Sequence, residues 1–140
     1  MRRLAPALLT ALVLAGPALG QSEEAPSGAA QTVEAPGAVI RMLDRMTGVV
    51  ADARLARGQS QALGRLTIVM DECRYPEDLP LGEAFAHLTI TDSEASAPLF
   101  KGWMIASSPA LSALDHQRYD VWVLQCDVPA STSAGEGSGG

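Results

Sequence analysis

Along the middle of the chain apolar residues recur at every second position, which is the pattern of strands with one buried face. Val49, Ala51, Ala53 and Leu55 alternate with Val50, Asp52 and Arg54. Leu66, Ile68 and Met70 alternate with Thr67, Val69 and Asp71, and Ala84, Ala86, Leu88 and Ile90 repeat the theme with His87 and Thr89 facing the other way. Residues 39–43, 99–106 and 121–126 read as further strands with less regular alternation. About six strands in roughly 90 residues predict a mostly β domain, a small antiparallel sandwich or barrel. Thr47-Gly48 and Arg57-Gly58 sit where tight turns reverse the chain, and residues 76–82 (PEDLPLG) form a longer acidic loop. One short helix is predicted near residues 108–114, with Ser108 as its cap and Pro109 at its first position.

The flanks have a different character. Residues 1–20 read as a signal peptide: Arg2 and Arg3 form the positive end, residues 4–15 are apolar apart from Thr10, and Ala18-Leu19-Gly20 offers small residues for cleavage before Gln21. The apolar run, broken by Pro6 and bounded by Pro17, falls short of the ~20 residues that span a bilayer. The expectation is an exported, periplasmic protein with no transmembrane segment after cleavage. Residues 21–37 (QSEEAPSGAAQTVEAPG) and 129–140 (PASTSAGEGSGG) carry almost no large apolar side chain, so they are expected as a disordered linker and tail around a domain at 38–128.

Charge narrows the partners. The chain has 10 basic and 16 acidic residues, a net charge of −6, and losing Arg2 and Arg3 with the signal makes the product more acidic still. Nucleic acid and anionic lipid both reward clustered Lys and Arg, which are absent here.

Candidate chemistry is sparse. Two cysteines in an exported domain are most simply a disulfide, Cys73 to Cys126, worth about 4 kcal/mol in the loop-entropy account. There is no Cys-x-x-Cys pair for redox work. Cys73, Cys126, His87 and His116 have zinc-ligand chemistry but not the close ligand spacing, so neither a metal nor a cofactor is expected. Ser107, Ser108, Asp115 and His116 suggest a serine hydrolase, yet no Gly-x-Ser-x-Gly elbow frames either serine and capping accounts for Ser108. The pairs Asp71-Glu72 and Glu77-Asp78 read as solvated surface. Trp103 and Trp122 read as core, and exposure of either would mark a partner contact.

The stretch from Phe100 to Cys126 (FKGWMIASSPALSALDHQRYDVWVLQC) resembles the most distinctive part of the bacterial family known as domain of unknown function 2155. The likeness extends upstream: Leu43-Asp44-Arg45-Met46-Thr47-Gly48 is similar to that family's early Leu-Asp-x-x-Thr-Gly turn, and residues 66–73 to its strand ending in the first Cys. The resemblance implies an exported alphaproteobacterial protein and carries no known activity, substrate or catalytic residue. It also points to an accessory place on a respiratory membrane complex. The leading expectation is therefore a non-enzymatic interaction module. Its protein partner would lie in the envelope or on the periplasmic face of the inner membrane, contacted through Trp103, Met104, His116 and Tyr119. A ligand-binding β-barrel and, behind it, a serine hydrolase are the alternatives.

Overall fold

The structure, a computed structural model, describes residues 31–130. The predicted signal peptide, most of the linker and nearly all of the tail lie outside these residues. Eight strands make two antiparallel sheets. The larger contains β1 (Thr32–Ala35), β4 (Ser60–Leu63), β5 (Leu66–Pro76), β6 (Phe85–Asp92) and β7 (Phe100–Ile105). The smaller has the order β3 (Val49–Ala56), β2 (Gly37–Asp44), β8 (Tyr119–Cys126). The mostly β, sandwich-like fold agrees with the sequence reading, and the two sheets do not close into a barrel.

The six strands read from the sequence are all present, and two short ones are added. β1 falls inside the segment assigned to the linker; it pairs with the end of β5 (Thr32↔Pro76 to Ala35↔Cys73), so the folded unit begins earlier than residue 38. Its backbone bonds and Ala35, which is buried, hold a segment whose side chains alone give little reason to order. β4 pairs with the other half of β5 on the same side (Ser60↔Val69 to Leu63↔Leu66) and buries little.

β5 is the spine of the larger sheet, with β6 on its other side and β7 beyond it. The core lies between the sheets. Leu66, Ile68, Met70, Ala86, Leu88, Ile90 and Met104 face inward from the larger sheet, Ala38, Ile40, Met42, Val121 and Val123 from the smaller one.

Two irregularities place the cysteines. On β5 the inward residues are even-numbered up to Met70 and odd-numbered from Cys73, because the register shifts between Met70 and Glu72. On β8 the inward residues are odd-numbered up to Val123, then Cys126, because Gln125 pairs with Val39 and Val123 with Ile40. Each bulge inserts one residue and so switches which face the following side chains take. Without them both cysteines would point to solvent. With them Cys73 and Cys126 meet across the sandwich at disulfide distance, Cα to Cα 5.8 Å, and tie sheet to sheet.

The predicted helix is a single 3-10 turn, Pro109–Ser112, and Ser108 makes no capping bond from its side chain. The turn belongs to a strap, residues 107–118, that runs the length of β6. At one end Ser107 donates backbone and hydroxyl hydrogen bonds to Glu83, just before β6. At the other, His116 meets Asp92, the last residue of β6. Leu114, 4% exposed, packs into the core between them.

Candidate functional site

The strap's lower end is a locked polar cluster. His116 Nδ1 accepts the backbone N–H groups of Arg118 (3.0 Å) and Tyr119 (3.1 Å), so the ring proton sits on Nε2 and points to the Asp92 carboxylate at 3.3 Å. Asp92 also accepts the Glu94 amide and the Arg65 guanidinium. The Glu94 amide, ahead of Arg65 and His116, holds its carboxyl below the usual range against the opposing effect of burial. A cleft of about 480 Å³ opens here, lined by Arg65, Asp92, Glu94, Leu99, Asp115 and His116 among others. Most of its charged groups are already satisfied by one another.

Beside it lies the Asp44 turn. Asp44 accepts the amides of Met46 (2.9 Å) and Thr47 (3.4 Å), and the Arg118 guanidinium grips the same carboxylate at 2.6 Å. The Arg118 hydrogen bonds are the main cause, with the Met46 amide helping against burial, of an Asp44 carboxyl lowered to about 2. Thr47 Oγ1 accepts the Val49 amide, and Gly48 adopts φ +72°. The Leu-Asp-x-x-Thr-Gly motif is thus a hairpin turn, knitted to the strap through Arg118, and carries no reactive group.

These contacts divide the four residues proposed as one partner surface. Met104 (1% exposed) and Tyr119 (3%) are core. Tyr119 packs under Gly64, where an added Cβ would stand 2.1 Å from its hydroxyl. His116 is a strut, its side chain buried. Alternation along β7 explains the split: Met104 and Trp103 are neighbours in sequence and so face opposite sides of the sheet. Trp103 alone is presented to solvent, at 40% exposure, which reverses its reading as core.

The serine hydrolase arrangement also fails. Ser107 is anchored at the start of β6 and His116 at its end, so a strand of eight residues, roughly 25 Å at strand spacing, separates nucleophile from base. Both partners are engaged elsewhere. Among the described residues no group of three or more His, Cys, Asp or Glu side chains is placed to hold a metal ion.

What stands out is the outer face of the larger sheet around Trp103. His87, opposite Trp103 on β6, presents its ring edge-on to the indole, centroids 5.3 Å apart and planes at 81°. His87 Nδ1 is 2.9 Å from Asp71, and the Thr89 hydroxyl donates to the same carboxylate oxygen at 2.7 Å. Asp71 is the bulge residue of β5. The irregularity that turns Cys73 inward therefore also supplies the carboxylate that orients His87, and His87 in turn steadies Trp103. Next to the indole a shallow apolar hollow of about 340 Å³ is lined by Thr32, Arg74, Phe85, Trp103 and Ile105. The Arg74 head is drawn away to Glu72 and Glu34, so that only its stem lines the hollow. Sequence reasoning missed Phe85, Ile105, Asp71 and Thr32 as parts of this face. The alternation placing Phe85 with His87, and Ile105 with Trp103, was the signal available for the first two.

Comparison with known proteins agrees with the resemblance in the sequence. The family described as "Uncharacterized protein conserved in bacteria (DUF2155)" matches residues 38–126. An uncharacterized protein of Rickettsia prowazekii (strain Madrid E), RP359, is 28% identical over 87 residues, covering 60% of this chain and 56% of that protein. The chain thus matches little more than half the length of that relative. No solved structure matches. Since the family match takes in both cysteines, the Asp44 turn, the strap and the Trp103 strand, the chain belongs to the DUF2155 family of bacterial proteins.

Proposed function

We propose that the protein is an exported, periplasmic interaction module without catalysis of its own, serving as an accessory of an envelope or respiratory membrane complex. The observation that carries the reading is Trp103: a large apolar side chain held in place at an exposed position. An indole left in water costs solvation and is commonly mobile, whereas this one is braced by His87, which is braced by Asp71. Holding a contact residue in one orientation before binding lowers the entropic cost of association, and Trp is enriched where interfaces concentrate their energy. Export is supported by the character of residues 1–20 and by the inter-sheet cysteine pair, since such bonds persist in oxidising compartments.

The test is capture from intact cells. A tagged full-length copy, crosslinked in the cells and purified from the periplasmic fraction, is expected to bring one reproducible membrane complex with it. Trp103→Ala should lose that complex while its melting temperature falls by no more than about 8 °C. Capture unchanged by Trp103→Ala, or a copy that stays in the cytoplasm uncleaved, would contradict the proposal.

A further inference from the structure

We infer that the Trp103 face receives an extended partner segment with a carboxylate two residues from a large apolar side chain. The apolar group enters the Phe85–Trp103–Ile105 hollow and the carboxylate reaches Lys101. The inference rests on the interaction reading above and specifies the chemistry of the partner.

The charges on the surface supply the argument. All seven arginines among the described residues are bonded to carboxylates: Arg41 to Asp52, Arg45 to Asp120, Arg54 to Asp127, Arg57 to Glu34, Arg65 to Asp92, Arg74 to Glu72 and Arg118 to Asp44. Lys101, exposed, is the one Lys or Arg of the described residues in no ion pair. Its cross-strand neighbour is Thr89, and the next carboxylate across the sheet, Asp71, is engaged by His87 and Thr89. Lys101 lies two positions from Trp103 on β7 and so on the same outer face, about 7 Å away along the strand. An extended segment repeats its own side chains at that spacing. The hollow lies on the Ile105 side of Trp103, and the flexible four-carbon stem of Lys101 can lean back over the indole, so one apolar residue in the hollow brings the side chain two positions on within reach of the lysine.

The other end of the face has the opposite sign. Beyond Thr32 and its pairing partner Pro76 come Glu77 and Asp78, neither of which has an ion-pair partner among the described residues. The face thus runs from acidic turn to apolar hollow to lysine, which sets one direction for the bound segment. The net charge of −6 does not decide the contact, because at physiological salt charges beyond about 8 Å are largely screened. The segment lies over the outer face, along β7.

The test uses the full mature chain carrying Trp122→Phe, in which Trp103 is the sole tryptophan. The probes are three synthetic peptides with a Thr-Leu-Thr-Glu-Thr core, the same core with Lys for Glu, and the same core with Ala for Leu. Trp103 emission is followed during titration. The Leu/Glu peptide is expected to bind about fivefold more tightly than the Leu/Lys peptide at physiological salt, the scale of one exposed charge contact. Lys101→Glu should invert that order, and the Ala peptide should bind more weakly than either. Equal binding of the two charge forms, or an order unmoved by Lys101→Glu, overturns this inference and leaves the interaction module standing. If no peptide moves Trp103 emission, the inference is overturned as well. Whether the module falls with it is then read from cellular capture, which is insensitive to Trp103→Ala only if the module is wrong too.

Discussion

Breaking the Cys73–Cys126 link is expected to cost a large share of the stability of this domain. The two residues are 53 apart in sequence, and closing a loop of that size in the unfolded chain corresponds to about 4 kcal/mol. A domain of this length is stable by only about 5–15 kcal/mol, and each kcal/mol moves its melting temperature by roughly 4–8 °C. Reduction of the wild-type protein should therefore lower the midpoint by about 15–30 °C. Reduction is the cleaner perturbation because Cys→Ala also removes buried sulfur. Thermal unfolding followed by circular dichroism, with and without reductant, reads the shift. Cys73→Ala, Cys126→Ala and the double variant should fall close together, since the first substitution already opens the loop. A reduced protein melting within about 5 °C of the oxidised one would refute the reasoning, as would single variants whose losses simply add.

The remaining expectations separate core from contact. Met104→Ala should cost about 2–5 kcal/mol in urea denaturation, and Trp103→Ala no more than about 1 kcal/mol, although the residues are adjacent; equal losses would place Trp103 in the core. Gly64→Ala forces a side chain into φ +55° and against the Tyr119 hydroxyl, for a loss of roughly 1–3 kcal/mol, whereas Gly48→Ala meets open space and should lose only about 1 kcal/mol. A smaller loss at Gly64 than at Gly48 would contradict the packing described for Tyr119. Asp44 has a folded pKa of about 2 against an ordinary value near 4, so its contribution is present above about pH 4 and is lost as pH falls toward 2. Asp44→Asn should therefore be less stable than wild type at pH 7, with the gap in urea midpoint closing between about pH 4 and pH 2; a gap constant across that range would argue against the Arg118 clamp.

The strands were legible because each regular one buries a single face: Leu66, Ile68 and Met70, then Ala86, Leu88 and Ile90, announce themselves by alternation. Where alternation breaks, a strand's end and a bulge look alike in the residue pattern. Asp71 continues the outward positions of its strand, yet it is the extra residue that turns Cys73 inward, and Leu124 does the same for Cys126. β1 and β4 were invisible because their stability comes from backbone pairing to β5 and not from side chains. The partner surface was half legible. Nearness in sequence groups Met104, His116 and Tyr119 with Trp103, but the pleat and the strap send them elsewhere. The distinctive composition of residues 107–118 reflects a demanding structural task, closing one side of the sandwich with Leu114, His116 and Arg118.

The central claim is that the outer face of the larger sheet around Trp103 is where a partner binds. The most direct measurement places a photoreactive amino acid in intact cells at Ile105, on that face, or at Leu124, on the outer face of the smaller sheet, and identifies the adducts by mass spectrometry. The account predicts a specific protein adduct from position 105 and none from position 124. An adduct from position 124 alone, or from neither position in cells where the protein is captured with a complex, would contradict it.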